Sequence, residues 1–83
     1  MKLSAQEEYG LRCLLTLARA ADGVSLSIPQ ISDAERISGP NVAKLLRVLR
    51  QAGYVAALRG QAGGYALTRP AREINVGEAL ATL

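Results

Sequence analysis

Apolar residues in the first quarter of the chain recur at the three- and four-residue spacing of an amphipathic helix. Ser4 and Glu7 have the spacing of a capping box, so we expect this helix to begin near Ala5. The sequence "ADG" at 21–23 is expected to end it, with Gly23 as the C-terminal cap. The predicted buried face consists of Tyr9, Cys13, Leu14, Leu17 and Ala21.

A second, shorter helix is predicted after an extended stretch around Leu26. Ser27 and Gln30 repeat the capping-box spacing, and Pro29 occupies the first turn, where its missing N–H does no harm. A helix of about two turns should therefore run through "PQISDAE". Its buried side is expected to comprise Ile28, Ile31 and Ala34.

The third predicted helix has two contrasting faces. Ser38 is expected to cap it, and "GPNVAKLLRVLRQA" should be helical up to Gly53. One apolar stripe follows the i, i+3, i+4, i+7 pattern and consists of Val42, Leu45, Leu46 and Leu49. At about 100° per residue, the opposite face carries Pro40, Lys44, Arg47 and Gln51.

Two short apolar runs, "YVAALR" and "YALTR", flank a glycine-rich loop and predict a two-stranded hairpin packed on the helices. Asn75 and Glu78 form a further cap-like pair, so a fourth helix should begin at Val76. Because that helix is still apolar at Leu83, we expect the chain to be a fragment of a longer protein. The order of elements predicts an α+β fold: a winged helix-turn-helix of three helices, a two-stranded wing and the start of a fourth helix.

Charge is distributed unevenly along the 83 residues, although the net charge is +3. Residues 1–35 carry three basic and five acidic side chains, whereas residues 36–72 carry seven basic side chains and no acidic one. A basic surface confined to one stretch favours a polyanionic partner such as nucleic acid. The alternative is a solvated face that keeps the protein soluble.

Composition argues against several other classes of protein. With one cysteine and no histidine, the chain cannot form an internal disulfide or supply a zinc or iron–sulfur site by itself, and Cys13 is expected to be a buried structural thiol. No serine or threonine has a base and an orienting group beside it, so an enzyme is not expected. The chain has neither a run of about 20 apolar residues nor a signal peptide, which favours a cytoplasmic protein without membrane contact.

The third helix and the glycine-rich loop together favour binding to duplex DNA. A helix in the major groove needs an apolar face for its own domain and an opposite face with donors and cations for the DNA. Arg59 and the small residues after it suit a narrow minor groove, although a plain flexible hairpin turn would have the same composition. Tyr65 can pack at the base of the wing or stack on a base, and packing is the expectation.

A protein–protein interaction module is the alternative function, because winged helices also serve in assemblies. A nucleotide-binding enzyme is a weaker alternative, since "GQAGG" has the spacing of neither a P-loop nor a dinucleotide fingerprint. Salt distinguishes DNA binding from a protein–protein interaction, because DNA binding weakens steeply as the salt concentration rises.

The sequence "ISGPNVAKLLRVLRQAGYVAALRGQAGGYALTRPAREINVGEAL" resembles the IscR-type family of bacterial winged-helix transcription regulators. The shared pattern is a recognition helix, "LR-x-x-G", "RG-x-x-GGY" and an "I-x-V" entry into the next helix. The resemblance implies a sequence-specific regulator, which we expect to be a repressor, with the recognition helix in the major groove and the wing in the minor groove. The implied DNA-binding residues are Ser38, Pro40, Asn41, Lys44 and Arg47 of the recognition helix, and Arg59, Gly60, Gln61, Gly63, Gly64 and Tyr65 of the wing.

The resemblance also sets expectations for the whole protein. Residues 1–75 would be the DNA-binding winged helix-turn-helix, and residues 76–83 the truncated start of a dimerisation helix, so the full-length protein would be a homodimer on a palindromic site. Many members place three cysteines before that helix to hold an iron–sulfur cluster, which a longer parent protein could therefore bind. Gln61-Ala62 replaces the commoner Pro-Gly, a change expected to alter the stiffness of the wing. Cys13 does not match a ligand position.

Overall fold

The computed structural model describes residues 3–20, 24–58 and 63–83. The elements in chain order are α1 (Ala5–Arg19), α2 (Ile28–Glu35), α3 (Gly39–Gln51), β1 (Val55–Leu58), β2 (Gly64–Leu67), a 3-10 helix (Ala71–Glu73) and α4 (Val76–Ala81). The 3-10 helix was not predicted from the sequence; it follows Pro70 and is closed by a hydrogen bond from Glu73 N to Pro70 O.

Capping boxes start the first two helices, as predicted. The Ser4 hydroxyl accepts from Glu7 N at 3.1 Å, and the Glu7 carboxylate accepts from Ser4 N at 3.0 Å. Ser27 and Gln30 form the same pair at 3.2 and 2.8 Å. Each box satisfies backbone donors that an uncapped helix would leave without a partner, which fixes where the helix begins.

The end of α1 differs from the prediction. Ala20 has extended backbone angles and its N–H bonds to Leu17 O, so the helix stops at Arg19, before segment 21–23. The predicted cap Gly23 and the predicted core residue Ala21 lie outside the described residues.

An aliphatic core joins all four helices and β1. The apolar stripe of α3 is confirmed, since its four members are each at most 1% exposed. On α2, Ile31 is buried, but Ala34 is exposed and the expectation for that residue was wrong. Ile28 and Ala34 lie about 120° apart on α2, on either side of the buried Ile31, and the core covers the side of Ile28. Ile37, in the turn after α2, is buried instead.

The hairpin pairs β1 with β2 in antiparallel register, from Val55 opposite Leu67 to Leu58 opposite Gly64. A third, single-residue bridge joins Leu26 to Tyr65, with Leu26 N to Tyr65 O at 2.9 Å and Tyr65 N to Leu26 O at 2.8 Å. This bridge confirms the predicted extended stretch before α2.

The last helix packs on α1. Ala79 and Leu80 are buried, and Leu83 rests against Gly10 in the middle of α1. Gly10 is itself buried, which explains a glycine at a helix-interior position where it is normally unfavourable. Three helices, a two-stranded wing and a fourth helix in this order form a winged helix-turn-helix, as the sequence predicted.

Candidate nucleic-acid interface

The third helix presents a cationic, exposed face opposite its buried stripe. Lys44 and Arg47 are both exposed, one turn apart, and Pro40 is exposed near the start of the same helix. Asn41 is half-buried at the edge of this face. Neither Lys44 nor Arg47 belongs to an ion pair among the described residues, so both cations are available to a partner.

Ser38 begins this helix as predicted. Its hydroxyl accepts from Asn41 N at 3.3 Å. The first turn holds no acidic residue that would repel an anion. Gly39, the first helical residue, lies beside Ile28, the first residue of α2, because a Cβ added at Gly39 would be 4.0 Å from the Ile28 Cγ2 atom. The first turns of α2 and α3 are therefore neighbours.

The described part of the wing is held against the start of α2. Gly64 approaches the Leu26 backbone so closely that an added Cβ would lie 2.6 Å from Leu26 O and 3.0 Å from Ser27 N. Tyr65, next to it, is half-buried and packs against the core, as expected from the sequence. Gly63 is half-buried where the loop enters β2. The predicted residues Arg59, Gly60 and Gln61 lie outside the described residues.

These contacts bring the start of the predicted recognition helix and the described part of the predicted wing close to the same turn of α2. The segment from Leu26 to Ile28 touches Gly64 of the wing on one side and Gly39 of α3 on the other. The start of the recognition helix and the loop-side end of β2 are therefore both adjacent to the first turn of α2.

The other end of the hairpin is fixed to the end of α3. The Thr68 hydroxyl donates to Gly53 O at 2.7 Å, and Thr68 N donates to Tyr54 O at 3.1 Å. The Arg69 guanidinium lies over the Tyr54 ring, 5.4 Å from its centre. Gly53 makes the turn possible with a φ of +89°, which glycine adopts without steric cost.

The turn between α2 and α3 contains a residue that the sequence did not single out. Arg36 caps α2 with φ 55° and ψ 45°, the left-handed conformation. It is exposed, and among residues 3–20, 24–58 and 63–83 it forms no ion pair. Left-handed backbone at a non-glycine residue is not signalled by composition or periodicity, so the sequence could not identify Arg36 as special.

The residues before Arg36 anchor α2 to α1. The Arg12 Nε atom lies 3.2 Å from a Glu35 carboxylate oxygen, and the Thr16 hydroxyl donates to the other oxygen. The hydrogen bond from Thr16 is the main cause that lowers the pKa of Glu35; burial opposes it, and the nearby Arg12 cation adds to the lowering. Arg12 also donates to the Glu35 backbone carbonyl and stacks over Tyr9.

The described residues offer no site for a metal or a reactive thiol. No group of three or more His, Cys, Asp or Glu side chains is placed to hold a metal ion in that part of the chain. Cys13 is fully buried, and burial raises the pKa of its thiol to about 11. A cysteine-ligated cluster therefore does not fit the residues of this chain, which has a single cysteine.

Within 3–20, 24–58 and 63–83, none of the helices combines the length and the apolar character needed to cross a bilayer.

Similar proteins of known structure share this architecture over the whole chain. IscR of T. potens is 35% identical with a TM-score of 0.93, and the match covers 100% of this chain and 61% of that one. CymR, the global cysteine regulator of B. subtilis, is 30% identical with a TM-score of 0.93, covering 100% of this chain and 64% of that one. The oxidized form of Staphylococcus aureus CymR is 34% identical with a TM-score of 0.89, covering 100% and 67%.

The chain thus spans less than two thirds of the length of the first two of these proteins. The family model for Rrf2, described as an iron-dependent transcriptional regulator, matches residues 3–83. With that match and the winged helix-turn-helix in place, the chain belongs to the Rrf2 family of transcriptional regulators.

Proposed function

We propose that this chain is the DNA-binding part of a cytoplasmic transcriptional regulator that acts as a repressor. The observation that carries the proposal is the two-faced α3, with one face sealed into the core and the other presenting Lys44 and Arg47 without intramolecular partners among the described residues. A helix with this division suits the major groove, where cations contact phosphates and guanine edges.

In this proposal, each predicted DNA-binding residue is assigned to one of the two grooves. Lys44 and Arg47 would enter the major groove together with Asn41, while Ser38 and Pro40 would lie at the helix entry. The wing would reach the adjacent minor groove with Arg59, Gly60, Gln61, Gly63 and Gly64. The neighbouring positions of Gly39 and Gly64 around the first turn of α2 support simultaneous contact with one duplex. Tyr65 would support the wing from its base, since it packs against the core.

Full regulation would require a symmetric pair of these domains. A homodimer would place two recognition helices and two wings on half-sites one or more helical turns apart. Residues 1–75 would be the DNA-binding domain and residues 76–83 the start of a dimerisation helix. Ala79 and Leu80 are buried in the present fold, so that helix would leave the domain from a fixed position.

The effector of the whole protein is a separate question. An iron–sulfur cluster in a longer parent protein would need ligands other than Cys13, which is buried and has a thiol that stays protonated near neutral pH.

Fluorescence anisotropy with a labelled mixed-sequence duplex, about three helical turns long, tests the proposal directly. We expect the affinity of the wild type to fall steeply with salt. Lys44→Ala combined with Arg47→Ala should reduce the slope of log K against log salt by about 1.8, because each lost phosphate contact removes about 0.9. Arg72→Ala, in the 3-10 helix, removes one exposed charge outside the proposed interface and is the control.

Two results would overturn the proposal. One is wild-type binding that does not depend on salt, which would favour the protein–protein module. The other is a control variant that lowers the slope of log K against log salt as much, for each charge removed, as the double variant does.

A further inference from the structure

The turn between α2 and α3 contains the one non-glycine residue of the described chain with a positive φ, Arg36. A side chain in this left-handed conformation brings its Cβ too close to the following carbonyl oxygen, so the position favours glycine. An arginine at this position is therefore less stable than a glycine would be, and we expect its side chain to have a function that offsets this cost.

The surrounding residues hold Arg36 in this conformation. On one side, Glu35 is fixed to α1 by Arg12 and Thr16. On the other side, Ile37 is buried, and its N–H and carbonyl are both hydrogen-bonded to Ser32. Because both neighbours are anchored, the left-handed turn is imposed by the fold whatever residue occupies position 36.

Stabilisation of α2 does not account for the arginine. A cation at a helix C-terminus interacts favourably with the helix dipole, and α2 has no other basic residue in its last turn. That attraction is weaker at an exposed position than the left-handed strain, and screening by salt weakens it further. Glu35, the nearest carboxylate in sequence, already binds Arg12 and Thr16, and Asp33 forms no ion pair with Arg36 within the described ranges.

We propose that Arg36 is a phosphate-binding residue of the DNA interface, placed outside the recognition helix at its approach. This inference rests on the proposed function. Arg36 precedes Ser38, the cap of α3, by two residues, and its long side chain is exposed and carries a permanent charge. A duplex that receives the start of α3 in its major groove would bring the flanking phosphates within reach of this turn.

Three substitutions at position 36 separate charge from backbone strain. Arg36→Gly removes both, Arg36→Ala removes the charge alone, and Arg36→Lys keeps both. We expect Arg36→Gly to melt roughly 4–8 °C above Arg36→Ala, which measures the strain. Thermal unfolding followed by circular dichroism gives this difference, and neither variant should lose the fold.

The binding assay uses the same labelled mixed-sequence duplex. Arg36→Gly and Arg36→Ala should each lower the slope of log K against log salt by about 0.9. If variant and wild type bind equally at ~1 M salt, each variant should bind about eightfold more weakly than the wild type at ~0.1 M salt. Arg36→Lys should retain the wild-type slope. Arg72→Ala, with the same change in net charge, should not alter it.

The outcomes distinguish this inference from the proposed function. If the wild type binds with a steep salt dependence and all Arg36 variants keep the same slope, Arg36 has no role in binding, whereas the proposed function stands. An equal loss for Arg72→Ala would also overturn the inference, because it would reduce the effect to net charge. If the wild type shows no salt-dependent binding, both proposals fail.

Discussion

Gly10→Ala, in the middle of α1, should have an effect on stability that changes sign when Leu83, which packs against Gly10, is replaced. Glycine inside a helix is about 1 kcal/mol less favourable than alanine, so Gly10→Ala would ordinarily stabilise the domain. Here an added Cβ would lie 2.8 Å from Cδ2 and 3.1 Å from Cγ of Leu83, and closer still to Cδ1. All three atoms belong to the Leu83 side chain, so that side chain must rotate or shift away from Gly10 to make room for the Cβ.

The expected magnitude follows from these two opposing terms. Relieving the overlap requires Leu83 to move away from α1, and an overpacked contact of this kind costs about 1–3 kcal/mol. Set against a gain of about 1 kcal/mol in helix propensity, Gly10→Ala should leave the domain between unchanged and about 2 kcal/mol less stable. In a Leu83→Ala background, the same substitution should stabilise by about 1 kcal/mol, because the space is then open.

Urea unfolding of the wild type, the two single variants and the double variant measures this coupling as a double-mutant cycle. Far-ultraviolet circular dichroism follows the loss of helix as urea is added. The urea concentrations at half-unfolding are compared between variants whose unfolding free energy depends equally on urea. We expect a coupling free energy of about 1–3 kcal/mol between the two positions.

A stabilisation by Gly10→Ala of the same size in both backgrounds would refute the reasoning. It would mean that the Leu83 side chain does not pack against Gly10 as described.

Three further predictions concern the wing, the joint between α1 and α2, and the thiol. Gly64→Ala should lower the melting temperature and remove the exchange protection of the Leu26 amide, because its Cβ would lie 2.6 Å from the backbone oxygen of Leu26; unchanged protection would argue against the close approach. The pKa of Glu35 is lowered by Thr16 and Arg12, so its stabilising contribution is present above its usual pKa of about 4.3 and lost as the pH falls below it; Glu35→Gln should therefore flatten the acid side of the stability profile, and a parallel profile would contradict this. Cys13 should react with a thiol reagent only at the rate of global unfolding, since it is buried and its pKa is about 11; fast labelling of the native protein would disprove it.

The sequence predicted the secondary structure where local chemistry decides it. The serines at the starts of the first three helices each accept a hydrogen bond from the backbone amide three residues ahead, and such caps depend on a few neighbouring residues. The buried stripe of α3 was likewise predictable, because all four residues share one face. Ala34 was assigned wrongly because α2 is so short that a small difference in rotation decides which residue is covered.

Features that depend on contacts between distant segments could not be predicted from the sequence. The bridge from Leu26 to Tyr65 joins residues that are far apart in the chain and gives Gly64 a structural role that a glycine-rich loop does not reveal. The left-handed Arg36 depends on the anchoring of Glu35 and Ile37 on either side. The proposed DNA-binding residues of α3 stay predictions: Pro40, Lys44 and Arg47 are exposed, and Asn41 is half-buried.

The position of the three tyrosines has a practical consequence for spectroscopy. The chain contains no tryptophan, so its intrinsic fluorescence comes from Tyr9, Tyr54 and Tyr65 alone. Tyr54 is 8% exposed at the junction of α3 and β1, with the Arg69 guanidinium over its ring. Emission from this ring would therefore change when the recognition helix and the hairpin move relative to each other. Tyrosine fluorescence of the unlabelled protein can thus report on the junction between α3 and β1.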